Sequence, residues 1–208
     1  MKAYILKRDY EHLCDMSYDI SLIPFSNSED LKYQLLSNEK LTLTKPVEFL
    51  ANFNVVKNES DYPIVDYDIE VMSDEMVNVL KKVGQFSHIL YPTLIVDDTF
   101  LKNKYDSEGN LLPDVPLLKN FNIVQLLDIL QVFDFEKSEF KPLRSNPKFP
   151  GIVKKMVIKE PVKGLPPIFR MLEKPASVFL SEAAKQALEA NNIKGCVFEE
   201  VEVTPYEG

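Results

Sequence analysis

Apolar and polar positions alternate over short stretches of this chain, and a helical spacing interrupts them in a few places. Lys2 to Leu6 predicts a short strand that ties the N-terminus into a sheet. Ser28 to Leu36 predicts a helix, with Ser28 as its cap and Glu29 and Asp30 in the first turn, where the helix dipole favours acids. Leu41 to Thr44 and Val47 to Phe53 predict extended segments, broken at Pro46. From Asp66 to Met72 the alternation is clean: Asp66, Asp68 and Glu70 point one way, and Tyr67, Ile69 and Val71 the other. That pattern predicts a half-buried strand with an acidic outer face. Ser73 then caps a helix from Asp74 to about Val83, with Met76, Val77, Leu80 and Val83 as its apolar stripe and Gly84 as its stop. Ile89 to Val96 predicts another strand, which Pro92 places at an edge or a bulge.

Farther along, Asp106-Ser-Glu-Gly-Asn110 is a turn signature between two extended runs. Phe121 to Phe135 is ambiguous. Its polar residues Asn122, Gln125, Asp128, Gln131 and Asp134 recur every third position. Such steps drift by about 60° each around a helix and form no single stripe. A buried helix over the middle is the favoured expectation, with a bent extended run as the alternative. Lys141 to Gly151, with three prolines, predicts a loop; Val153 to Ile158 a strand; Pro161 to Pro167 a break. The chain closes with strand, Ser181-capped helix, turn at Gly195 and a final strand, with Ala184 and Leu188 facing the core. Ser73 stands seven residues before Leu80, as Ser181 does before Leu188. This spacing fits a weak strand–helix–strand duplication or two independent uses of a Ser cap. The expected fold is α+β over residues 1–208 as a single domain, with a mixed or mainly antiparallel sheet and a few short helices.

Composition narrows the function classes. A chain of 208 residues buries enough surface to fold without a metal or disulfide staple. Only Cys14 and Cys196 are present, which suits a reduced, cytoplasmic protein. No apolar run has the length of a signal peptide or a membrane helix, so no membrane association is expected. The net charge of −8 is unevenly spread: Lys137 to Lys174 carries +7 and the remainder −15. Acids stand without bases from Asn58 to Leu80 and again after Lys194. Such fields repel nucleic acid and attract basic proteins. The basic segment interleaves Phe140, Phe149 and Phe169, a pattern used for single strands, but the acidic whole argues against that partner.

Motifs for catalysis are sparse. His12 and His88 are the two histidines, and His12 with Cys14 makes one pair without a second half, so no metal site is expected. A Cys–His pair could join Cys14 or Cys196 with His88, yet neither thiol lies in a motif that lowers its pKa. Clustered carboxylates such as Asp97-Asp98 or the Asp66 strand would need one acid desolvated to act in a hydrolase. No glycine-rich phosphate loop occurs, and no cofactor is expected.

One resemblance adds to this reading. Pro167-Ile-Phe-Arg170, Val178-Phe-Leu180, Ser181-Glu182 with Leu188, and Ile193-Lys-Gly195-Cys-Val-Phe198 resemble the signature of the eleventh immunity-protein family of bacterial polymorphic toxin systems. Val71-Met-Ser73-Asp74 and the stretch from Asn122 to Asp134-Phe-Glu-Lys-Ser138 resemble its upstream elements. The resemblance covers the portion from residue 61 onward; residues 1–60 lie outside it. It implies a protein without catalysis that binds and neutralises a cognate toxin, a basic nuclease being one fit for an acidic surface. On that implication Asp66, Asp68, Glu70, Glu200 and Glu202 are the expected toxin contacts, and Ser73 and Ser181 are structural caps. The alternative is a small cytoplasmic hydrolase using clustered carboxylates or a Cys–His pair.

Overall fold

The computed structural model describes residues 2–11, 19–23, 28–36, 39–43, 46–53, 56, 60–65 and 69–206. The expectations for His12, Cys14, Thr44, Asp66, Tyr67 and Asp68 fall outside the described residues. In chain order the elements are β1 (Lys2–Arg8), β2 (Ile20–Ile23), α1 (Ser28–Leu36), β3 (Val47–Ala51), β4 (Val71–Ser73), α2 (Asp74–Val83), β5 (His88–Asp97), β6 (Leu117–Leu118) and β7 (Phe121–Leu126). They continue with β8 (Ile129–Leu130), β9 (Glu139–Pro142), β10 (Pro150–Lys155), β11 (Val157–Lys159), β12 (Ile168–Met171), β13 (Lys174–Ser181), α3 (Glu182–Ala190) and β14 (Cys196–Thr204).

Two mixed, mainly antiparallel sheets result, as an α+β reading expects. The first runs β2-β3-β5-β7-β4, with β6 beside β5; the second runs β11-β14-β1-β13-β12-β8. Among the described residues strands β9 and β10 pair only with each other. In the first sheet β4 and β5 both run antiparallel to β7, which lies between them, and α2 connects them. In the second, β13 and β14 both run antiparallel to β1, and α3 connects them. The two units therefore share a connectivity; that likeness is one of topology, not a demonstrated sequence duplication. The N-terminal strand β1 is interior to the second sheet, so the sheet holding the immunity-like motifs closes only around residues from outside them.

Helices α2 and α3 pack on each other and on one face of both sheets. Met76, Val77, Val79 and Leu80 of α2 meet Ala184 and Leu188 of α3, with Met72, Val124 and Leu126 from one sheet and Leu6, Ile168, Val178 and Leu180 from the other. Both helices begin as the sequence predicts. The Ser73 hydroxyl accepts from Met76 N–H (3.1 Å), and the Ser181 hydroxyl accepts from Ala184 N–H (3.3 Å). Gly84 ends α2 in extended backbone (φ 170°) rather than in a left-handed turn.

Three expectations need correction. The middle of Phe121–Phe135 is not helical: it forms β7 and β8. Strand β7 is interior and covered on both faces, which erases the two-residue alternation that an exposed face would impose. Its polar Gln125 is fully buried but satisfied, accepting from the Tyr91 hydroxyl (2.8 Å) and donating to Glu39 O (2.8 Å). Pro92 lies in an interior strand, not at an edge. It faces Asn122 of β7, parallel pairing with β3 starts at the next residue, Thr93, and the register slips by one residue before Ile95 meets Leu118 of β6. The expected loop at 141–151 is the turn and flanks of the β9–β10 hairpin, with Pro142 closing one strand and Pro150 opening the other.

Gly195 turns the chain from α3 into β14 at φ 79°. A Cβ there would stand 2.2 Å from Ser60 Oγ and 3.0 Å from Tyr62 O. Gly164 is equally left-handed (φ 75°) with open space around it. Gly195→Ala is therefore expected to cost about 2–4 kcal/mol, from backbone strain plus collision. Gly164→Ala should cost about 1 kcal/mol, from strain alone. Thermal melts of the two variants check this; equal melting temperatures would remove the collision at Ser60.

Candidate functional site

The expected acidic strand face does not exist at Glu70. Its residue is only 6% exposed, and the carboxylate lies between two guanidiniums: Arg170 Nη2 at 3.4 Å from Oε1 and Arg8 Nη2 at 3.6 Å from Oε2. The Tyr62 hydroxyl donates to Oε2. Burial, and then the adjacent carboxylate, push the Tyr62 pKa well up, so the hydroxyl keeps its proton. Arg8 also donates to Pro63 O (2.9 Å) and Ile69 O (2.6 Å) and lies 4.9 Å from the Tyr62 ring centre. Arg170 donates to Pro175 O (2.7 Å). Alternation of acids suggested solvent, but two arginines from distant strands supply the counter-charges that burial requires. The sequence clue was Arg170, a lone charge inside the apolar run Ile168-Phe-Arg-Met171.

Glu200 and Glu202 are exposed, as expected, but they are not a bare acidic row. Glu199 stands opposite Ile5 and Glu200 opposite Tyr4 on β1, so these neighbours face opposite sides of the sheet. Each glutamate of β14 holds a lysine: Lys7 meets Glu199, Lys2 meets Glu200 at 2.8 Å, and Lys155 meets Glu202 at 2.8 Å. The last pair joins the β10 end of the hairpin to β14. Beside it lies a cleft of about 460 Å³ whose lining includes Lys154, Lys155 and Lys174 together with Glu199, Glu200 and Glu202. Ile5, Val201 and Met156 add apolar surface to that cleft.

The residues that carry the immunity-like resemblance are structural. Asp61 joins the two strand–helix–strand units: it accepts from the Ser73 hydroxyl (2.7 Å) and from Lys194 N–H (3.0 Å), while its own N–H donates to Lys194 O (3.0 Å). Asn122 donates to Asp74 Oδ1 at 2.7 Å. Asp134 accepts from the N–H groups of Glu136 (3.0 Å) and Lys137 (3.1 Å) and from the Thr204 hydroxyl (3.2 Å). The Ser138 hydroxyl accepts from Val157 N–H at 2.9 Å. The Asp134-x-x-x-Ser138 spacing thus knots a turn to β11 and β14.

Among the described residues the catalytic candidates Cys196, His88, Asp97 and Asp98 do not meet in a working geometry. Burial, with Asp61 and Asp9 nearby, pushes the Cys196 thiol up to about 12, so it is protonated at neutral pH. His88 opens β5 in the other sheet, stacked on Phe86 with Nδ1 3.0 Å from Phe86 O. Asp97 accepts from Thr99 N–H (3.0 Å) and the Thr99 hydroxyl (2.8 Å); burial and then Asp97 push Asp98 up. Among the described residues no three His, Cys, Asp or Glu side chains converge as a metal site would require. No described helix is long and apolar enough to cross a membrane.

Residues 112–203 match the model of the Immunity protein family (Imm11). The match agrees with the resemblance carried by the C-terminal motifs, and it spans β6 to β14 without β1. No curated protein matches the chain.

Two outcomes follow from this geometry. Glu70→Ala leaves two buried arginines without their carboxylate and is expected to cost about 3–5 kcal/mol, while Glu200→Ala melts close to the parent. Comparable losses for both would contradict the assignment of Glu70 to the interior. Burial alone would raise the Asp134 pKa, but the Lys137 and Glu136 N–H groups, the Thr204 hydroxyl and Lys159 outweigh it and hold the carboxyl below its ordinary value. A depressed folded pKa stabilises above the unfolded value of about 3.9 and is lost as pH falls through the folded one. The stability gap between the parent and Asp134→Asn should therefore be full at neutral pH and narrow below about pH 4. Denaturant titrations across that range check it; a gap that does not change with pH would refute it.

Proposed function

We propose that this chain, whose residues 112–203 match the Immunity protein family (Imm11), binds and neutralises a cognate protein toxin without catalysing a reaction. The family match is the observation that carries the reading. The toxin belongs to a bacterial polymorphic toxin system, and its neutralisation takes place in the cytoplasm of the cell that makes it. A nuclease with a basic cleft is the toxin class that suits the acidic contacts.

Glu200 and Glu202 supply those contacts. Their side chains are 55% and 57% exposed, and among the described residues each pairs with one lysine. Exposed pairs of this kind contribute little to stability, so a basic group of a partner can replace Lys2 or Lys155 at small cost. Charge complementarity then speeds encounter and selects the partner. Asp66 and Asp68 join the proposal on the strength of the sequence alone. Glu70 leaves it, because its carboxylate is already engaged by Arg8 and Arg170 inside the protein.

Calorimetric titration against the catalytic domain of the toxin encoded beside this gene tests the reading. Tight binding is expected, weakened at least about tenfold by the double change Glu200→Lys and Glu202→Lys and most strongly at low salt. Unchanged affinity would remove these glutamates from the interface. No binding by the parent chain would overturn the function.

A further inference from the structure

Hairpin β9–β10 pairs with neither sheet, yet it is firmly rooted. Phe140 meets Phe133 edge-on at 5.4 Å and Phe135 at 5.7 Å, and Val153 packs on the same core. The tip orders itself: Leu143 N–H donates to Phe149 O (2.8 Å), Asn146 N–H to Leu143 O (3.2 Å) and Phe149 N–H to Asn146 O (3.0 Å). A preformed element of this kind loses little freedom on docking.

Its charges differ from those of β14. Lys141, Arg144, Lys148 and Lys154 are exposed and make no ion pair among the described residues, whereas each β14 glutamate is paired. Lys174, also without an ion pair, lines the cleft together with Lys154. Among these bases stand Ile152, 67% exposed, and Leu143, 43% exposed. Aliphatic anchors within a charged rim suit a protein partner. They suit nucleic acid poorly, because Phe140 and Phe149 are half-buried and Phe140 is engaged edge-on by Phe133 and Phe135. The −15 carried by the rest of the chain also repels a polyphosphate beyond the hairpin.

We propose that β9–β10, with Lys154 and Lys174 at its root, docks an acidic segment of the toxin, with Ile152 and Leu143 seated in an apolar hollow of that partner. The inference rests on the toxin-binding reading and adds a second half to its footprint. Glu200 and Glu202 take basic groups beside the cleft, and the unpaired bases of the hairpin take acidic groups. A footprint of two signs fixes the docking orientation, because the reversed pose brings like charges together.

The test is the affinity of the full chain for the toxin's catalytic domain, measured by biolayer interferometry. The variants are Ile152→Asp and the triple reversal Lys141→Glu, Arg144→Glu, Lys148→Glu. All four positions are exposed, so both variants should melt like the parent. Each is expected to bind at least about tenfold more weakly. Parent-like affinity in both variants overturns the footprint and leaves the toxin reading standing. Absence of binding by the parent overturns both. Binding of a single-stranded oligonucleotide by the parent, abolished in the triple reversal, overturns the choice of a protein partner.

Discussion

One carboxylate holds the halves of this protein in place. Glu70 leads into β4 of the first sheet, Arg8 ends β1 at the centre of the second, and Arg170 lies in β12 of that same sheet. Tyr62 adds a hydroxyl from the segment between them. Each buried charge is tolerable only because the others are present. The arginines also bind the carbonyls of Pro63 and Ile69, which belong to neither sheet, and of Pro175 in β13, so all three are drawn into the same knot. The shared core of α2 and α3 supplies bulk stability, while this cluster and the Asp61 bridge fix how the two strand–helix–strand units meet.

That division of labour separates scaffold from surface. Ser73, Asn122, Asp134, Ser138, Ser181 and Gly195, which are among the positions that resemble an immunity family, cap helices, tie turns or make room for the backbone. None of them needs a partner to explain it. The exposed charges of β14 and of the hairpin sit elsewhere, where exchange of a weak surface pair costs little. A fold that keeps its identity in buried polar ties can vary its exposed charges without loss of structure.

Local signals were legible wherever a short stretch determines its own shape. Both Ser caps, the strand at Lys2, the helix at Ser28 and the Gly195 turn follow from neighbouring residues alone. What could not be read depended on distant partners. Glu70 looked solvent-facing because alternation cannot reveal Arg8 and Arg170 arriving from 62 and 100 positions away. β7 looked helical because burial on both faces removes the period that marks a strand. The lysines that neutralise β14 come from β1 and β10, so an acidic run in sequence became a set of ion pairs in space.

Titration of toxin activity against this chain tests the central claim most directly. A binding protein abolishes activity at one equivalent, at once, and the complex can be recovered with both chains intact. Loss of activity caused by a small fraction of an equivalent and growing with time would show turnover, and would contradict neutralisation by binding.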